Sequence, residues 1–142
     1  MGTCEQHGLH LPLSTDTLIA EAFATAVSDA TGVAVAPTLA YGVNLPCDRF
    51  VPGTAGFTFD SLRECVCALL EDCERQGFRH FFLLTAHGCA SEGYSFAHHE
   101  ALKQGALPFL EDAPCDDASD CDDPDCVDHA TTVSILFPYW TE

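Results

Sequence analysis

Glu5-Gln6-His7-Gly8-Leu9-His10-Leu11-Pro12-Leu13-Ser14-Thr15-Asp16 concentrates two carboxylates and two imidazoles in one short stretch. It is too polar for a core strand, and Gly8 and Pro12 break it too often for a helix. A loop ending at a helix start near Thr15 or Asp16 is expected. Oxygen and imidazole donors in this mix suit Zn²⁺, Mn²⁺ or Fe²⁺. Glu5 and His7 are two apart, so in an extended segment they point the same way. The plainer alternative is a capping Asp16 with surface histidines.

Outward from this stretch, helix and strand alternate. The first helix is predicted to run to about Thr31, with Leu18, Ala22, Phe23, Val27 and Ala30 on one face and Gly32 closing it. Residues 33–36 read as a short buried strand, residues 41–53 as a Gly/Pro-rich loop, and residues 54–58 as a further strand. A second helix is predicted over residues 61–76, with a capping box of Ser61 and Glu64. Its apolar face is Leu62, Cys65, Val66, Leu69 and Cys73. After Gly77, residues 78–85 read as a strand apolar on both faces from Phe81 to Leu84. A weaker helix over residues 92–104 and a last strand over residues 131–137 complete the pattern. Such alternation predicts an α/β fold with a parallel sheet. No internal repeat or separate linker is visible.

Directly after the Phe78 strand comes Ala86-His87-Gly88-Cys89. Ligands of open α/β sheets bind beyond the carboxyl ends of the strands, so His87 stands where a site is expected. A lone loop histidine is the alternative.

These residues together resemble the creatininase (creatinine amidohydrolase) family. Residues 5–16 match its Glu-Gln-His-Gly-x-His-Leu-Pro-Leu-x-Thr-Asp signature throughout. Further similarity follows in Asp16-Thr17-Leu18-Ile19-Ala20, Tyr41-Gly42-Val43, Pro52-Gly53-Thr54 and Gly77-Phe78-Arg79. His87-Gly88 matches the His-Gly of the family's Asn-Gly-His-Gly-Gly-Asn loop, and the likeness covers about residues 3–90. The resemblance implies a three-layer α/β/α sandwich with a mostly parallel sheet. It also implies a binuclear centre of two divalent ions, Zn²⁺ or Mn²⁺ with Fe²⁺ possible. Carried over by position, Glu5 and His7 each bind a different metal, Asp16 bridges both, and His87 binds one. Paired metals can share a water, lower its pKa and polarise a substrate carbonyl. Family members use this to hydrolyse C–N bonds of cyclic amides, formamides or related small amides. A small-molecule amide substrate and a homo-oligomeric assembly are implied in the same way.

The chain also departs from the family pattern. Thr85 and Ala86 stand where the family has Asn and Gly, and Cys89 and Ala90 replace the closing Gly and Asn. In creatininase a Glu two residues past the loop His completes the second metal's ligands; that position is Cys89 here. Cys89 as a thiolate, or Glu92 after a loop rearrangement, are the candidate replacements, and a small buried filler is the alternative for Cys89. The strand that normally leads into the first motif is expected to be missing or nearly so, because only Met1-Gly2-Thr3-Cys4 precedes it. The chain is thus expected to be a shortened single domain. Asp128-His129-Ala130, followed by Val133-Ser134, is the candidate remnant of the family's later His segment, with His129 as proton shuttle beside Asp128. The family's late Glu has no counterpart after His129. A surface histidine following an acidic loop is the alternative reading of His129.

Composition narrows the classes. At 142 residues with 47% hydrophobic content the chain can bury one core. No apolar run reaches the length of a membrane span, and no basic-start signal peptide opens the sequence, so a cytoplasmic location is expected. The net charge of −17 argues against nucleic acid as partner, since phosphate contacts need Lys and Arg. The only lysine is Lys103. Acid dispersed over a folded domain with almost no lysine suits a high-salt cytoplasm, where screening removes self-repulsion. Thermal melts are accordingly expected to rise steeply from dilute buffer to molar KCl, and a flat dependence would remove the halophile argument.

Nine cysteines, an odd number without a secretion signal, read mostly as reduced thiols. Cys65 and Cys73 are expected on the apolar face of the second helix and Cys67 off it. Cys115, Cys121 and Cys126 lie in residues 111–128, where half the side chains are acidic. That segment lacks the paired cysteines of usual zinc sites and the Gly of a calcium loop, so a solvated acidic loop is expected. Two function classes remain: a metal-dependent amidohydrolase, and a shortened, catalytically weak homologue serving as a metal-binding or oligomer subunit.

Overall fold

A computed structural model describes residues 1–88, 97–109 and 132–136. Helix α1 spans Thr15–Thr31, α2 Phe59–Arg75 and α3 Ala97–Ala106, and strands β1 (His80–Leu84) and β2 (Thr132–Leu136) pair in parallel. The register sets His80 opposite Thr132 and Leu84 opposite Leu136. Short 3₁₀ turns occupy Asp48–Phe50 and Leu107–Phe109. Parallel strands joined through a helical crossover are the α/β arrangement the alternation predicted.

The core lies where α2 and α3 meet β1 and β2. Leu62, Val66 and Leu70 of α2 pack with Ala101, Leu102 and Ala106 of α3, and with Val43 and Phe109. Phe81, Leu83, Val133 and Ile135 close the sheet side of this cluster. Gly105 permits the contact: a Cβ there would stand 2.7 Å from the Arg63 carbonyl oxygen and 2.9 Å from Val66 Cβ. The helices therefore approach to backbone distance, and only a residue without a side chain fits.

Several sequence expectations hold and others shift. α1 ends as expected, with Gly32 (φ 75°) closing it in the left-handed conformation, but it begins at Thr15 with Ser14, not Thr15 or Asp16, at the N-cap and no side-chain cap bond. Its predicted apolar face is not packed among the described residues: Leu18, Phe23 and Val27 are exposed, while Asp16, Thr17 and Ala20 are buried. α2 starts two residues earlier than expected. Thr58, not Ser61, is its N-cap, and the Thr58 side chain accepts from the Ser61 N–H. Its buried stripe runs through Leu70 rather than Leu69, and Cys67 packs against the core rather than off it. Residues 33–36 form no strand; Val33 and Val35 are exposed, with no ladder partner among the described residues. The strand expected at residues 54–58 reduces to one antiparallel bridge between Ala55 and Cys4. β1 is half-covered rather than buried on both faces, since Phe82 is exposed among the described residues. Cys4, Cys47, Cys65, Cys67 and Cys73 are free thiols. No described helix is long and apolar enough to cross a membrane.

Candidate metal centre

The first motif is held by bonds on both sides. Gly2 N–H donates to the Leu39 carbonyl at 3.0 Å, and the Met1 carbonyl accepts from Ala86 N–H at 3.3 Å. The short opening segment thus lies between residues 39–42 and the end of β1, as a leading strand would. Gly2 is required there, because a Cβ would stand 2.5 Å from the Thr17 backbone. That close approach seats the first turn of α1, and hence Asp16, against the chain leading to Glu5.

The loop itself turns back on its start. Glu5 N–H donates to the Leu13 carbonyl at 2.9 Å, Gln6 N–H to Thr54 Oγ1 at 3.1 Å, and Gly8 N–H to Gln6 Oε1 at 2.7 Å. Gly8 takes φ 85°, which favours glycine. Asn44 ties the neighbouring segments together. Its Oδ1 accepts from Thr3 Oγ1 at 2.7 Å, and its amide donates to the carbonyls of Cys4 and Ala55.

The outcome is a compact donor set. One ligand atom each from Glu5, Asp16 and His87 lie within 4.8 Å of one another. Asp16 divides its two oxygens: Oδ1 lies 3.1 Å from His7 Nε2, and Oδ2 lies 2.8 Å from His87 Nδ1. Glu5 Oε2 is 3.5 Å from His87 Nδ1 and 3.8 Å from His7 Nε2. Burial pushes the Glu5 carboxyl above its usual range, against the pull of His87, and the nearby Asp16 carboxylate adds to the rise.

The ring hydrogens decide what this set can hold. His87 Nε2 faces the Val43 carbonyl at 3.1 Å, which can only accept, so Nε2 carries the hydrogen. His7 Nδ1 faces the Glu5 carbonyl at 3.0 Å and carries its hydrogen for the same reason. In the neutral rings, the nitrogens facing Asp16 then present lone pairs to carboxylate oxygens. Two acceptors at such distances repel, so a proton or a cation must stand between each pair. A ring N–H given to a backbone carbonyl, with the other nitrogen beside carboxylates, is the usual arrangement of a metal-binding histidine. The donor chemistry of Glu5, Asp16 and His87 therefore fits a divalent cation.

The structure brings together Glu5, His7, Asp16 and His87 of the expected residues. His10 is exposed and stands outside the group. Cys89, Glu92, Asp128 and His129 lie outside the described residues, as do residues 111–128 with Cys115, Cys121 and Cys126.

Sequence reasoning missed the inner layer. His98 on α3 is buried, and its ring meets that of His87 edge-on at a centroid distance of 5.0 Å. Burial holds its pKa down at about 2, with His87 and His99 adding to the effect, so the ring is neutral. Its Nδ1 accepts from Val43 N–H at 3.2 Å, and its Nε2–H donates to Thr85 Oγ1 at 3.0 Å. His99 Nε2–H reaches the His87 carbonyl at 3.1 Å, and burial lowers its pKa too. Thr85, noted only as a departure, also accepts from His87 N–H at 3.3 Å. A pair of histidines on a helix following the His-Gly loop was the available signal. A cavity of about 180 Å³ lies behind Val43, lined also by Asn44, Leu45, Arg49 and Phe59. Glu5, His7, Asp16 and His87 do not line it, so we assign it no role.

The sequence model of the creatininase family, described as creatinine amidohydrolase, matches residues 1–133. The chain belongs to the creatininase family. The mycofactocin precursor peptide peptidase of Mycolicibacterium smegmatis is 47% identical over 60 residues, covering 38% of this chain and 24% of the peptidase. A crystal structure of creatinine amidohydrolase (creatininase) superposes with TM-score 0.72 at 24% identity, covering 96% of this chain and 47% of that one. A creatininase structure with Mn gives TM-score 0.72 at 22% identity over 96% of this chain and 48% of that one. A mutant creatininase of Zn-Zn type gives 0.70 at 23% identity, over 96% and 47%. The chain therefore spans about half the length of these creatininase structures. Their likeness bears out the α/β sandwich expected from the sequence, with its parallel sheet.

Proposed function

We propose that this creatininase-family chain is a metal-dependent amidohydrolase that cleaves a C–N bond of a small cyclic amide or formamide at a binuclear centre. The observation that supports it most is Asp16, whose two oxygens face His7 and His87 separately. One carboxylate so placed would bridge two cations and reduce their mutual repulsion. Glu5 and His87 would complete one side and His7 would serve the other, with Zn²⁺ or Mn²⁺ as the ions, since one similar creatininase structure is of the Mn form and another of Zn-Zn type. Bound there, the ions would supply an acidified water and a polarised carbonyl. The chain's own residues hold the donors: Val43 and Glu5 carbonyls fix the rings, and partial burial keeps Glu5 and Asp16 from bulk water. His129 beside Asp128 is the proposed proton shuttle, and Cys89 or Glu92 the proposed further ligand.

Elemental analysis of the purified protein, followed by hydrolysis assays after Zn²⁺ or Mn²⁺ loading, tests the reading. Creatinine, formamide and a small cyclic amide form one set of substrates. A short peptide forms another, because one relative is a peptidase. About two equivalents of metal and turnover of a small amide are expected. Turnover of the peptide alone would move the substrate class. Metal without turnover of any amide would leave the non-catalytic, metal-binding subunit as the function.

A further inference from the structure

Between His87 and α3 runs a chain of bonds in which each hydrogen has one possible owner. Val43 N–H can only donate, so His98 Nδ1 accepts it, and the His98 hydrogen sits on Nε2. That Nε2–H is received by Thr85 Oγ1. On the other side of the same residue, the Val43 carbonyl accepts from His87 Nε2–H. Val43 is thus gripped at both of its backbone polar groups, by one histidine at its N–H and another at its carbonyl.

We propose that His98 is a positioning residue for the metal centre: by holding the Val43 backbone, it fixes His87 in the tautomer whose Nδ1 faces Asp16 and Glu5. The proposal rests on the metal reading above for its purpose, but its geometry does not depend on an ion. A second observation supports it. Gly42 leaves the room that His98 occupies: a Cβ at Gly42 would stand 2.7 Å from His98 Nδ1 and 2.8 Å from Cε1. Both glycine and histidine are therefore committed to one contact, which brings the ring to the Val43 N–H. Asn44, bonded to Thr3, Cys4 and Ala55, anchors the far side of the same segment. Without the His98 acceptor, the Val43 N–H would lose its partner; the segment would keep the Gly42 bonds to Thr3 Oγ1 and Phe57 N–H and the Asn44 anchors, but the Val43 carbonyl would be aimed less firmly at His87.

The test uses the whole chain, ¹⁵N-labelled and metal-free, and reads ring tautomers from two-bond proton–nitrogen NMR correlations. His98 should show its hydrogen on Nε2 only, and His87 should hold a hydrogen on Nε2 throughout, with the proton facing Asp16 at Nδ1 when no ion is bound and lost when Zn²⁺ is added. His98→Leu should leave His87 as a mixture of tautomers and raise the Zn²⁺ dissociation constant about 10–100-fold, the usual effect of losing an outer partner. His98→Asn, whose Oδ1 can still accept from Val43 N–H, should restore the His87 tautomer and most of the affinity. Should His98→Leu fail to fold, Thr85→Val removes the acceptor of the His98 hydrogen with little change of volume and should shift both rings. An unchanged His87 tautomer in folded His98→Leu or Thr85→Val would overturn the proposal. Absence of Zn²⁺ binding by the unmutated protein would sink the metal reading instead, while the tautomer comparison would still decide the role of His98.

Discussion

Asp16→Ala is expected to strip the protein of both metal ions, whereas Glu5→Ala should cost only one. The difference follows from where the oxygens lie. Asp16 offers Oδ1 at 3.1 Å from His7 Nε2 and Oδ2 at 2.8 Å from His87 Nδ1, so its loss removes a donor from each side. Glu5 Oε2 lies nearer the His87 side, at 3.5 Å against 3.8 Å from His7. The affinity loss in Asp16→Ala should exceed the roughly 10–100-fold that loss of an outer partner costs, because two direct donors vanish together. Any amide hydrolysis should fall with it. Elemental analysis after dialysis, with circular dichroism as a folding control, reads the result. Unchanged Zn or Mn content in folded Asp16→Ala would refute the bridging role.

Much of this centre was legible in the sequence, for a physical reason. Glu5, His7 and Asp16 belong to one short polar stretch that neither helix nor strand can accommodate, and His87 follows an apolar strand directly. Local pattern singled these residues out with plainer alternatives left open, and the family resemblance joined them into one set. The C-terminal end of α1 at Gly32 and the presence of β2 were equally local, set by a glycine cap and by a stretch rich in β-branched residues. His98 was not legible, because its role depends on a contact with Val43, far from it in sequence. The same is true of the stripe on α2. Leu69 and Leu70 are adjacent leucines near the edge of one apolar arc, and either could point inward by periodicity. The close approach at Gly105 of α3 selects Leu62, Val66 and Leu70 instead. The cap of α2 falls three residues early because Thr58 and Ser61 are both competent acceptors, and Thr58 takes the Ser61 N–H.

The apolar face of α1 and the strand expected at residues 33–36 fail differently. Leu18, Phe23, Val27, Val33 and Val35 are written as core residues yet stand exposed among the described residues. Periodicity reports that a face is meant to be covered, but it does not say by what. Creatininase structures similar to this chain extend to about twice its length, so fold likeness alone does not imply a cover for α1 within these residues.

The largest stability effect should come from the α2–α3 contact. Leu102 is fully buried within the cluster that holds α3 against α2, and it lies one turn after His98 on the same buried face. Leu102→Ala removes buried methyl groups and leaves a cavity, which costs about 2–5 kcal/mol. Against a total stability of roughly 5–15 kcal/mol, that is a large share. The metal-free melting temperature should drop by roughly 5–20 °C. The neighbouring exposed Lys103→Ala should change stability by no more than about 0.5 kcal/mol. Saturating Zn²⁺ then separates core from centre. An ion that binds only the folded state stabilises by mass action, about 2.7 kcal/mol at a hundredfold excess over Kd. Leu102→Ala keeps all four donors, so Zn²⁺ should raise its melting temperature, although by less than in the unmutated protein if loosening α3 also loosens His98. Asp16→Ala should show no such rise. A Leu102→Ala melt that matches Lys103→Ala would mean that the α2–α3 contact does not hold the fold. An equal Zn²⁺-dependent rise in Asp16→Ala would mean that the ion stabilises the protein somewhere other than between His7 and His87.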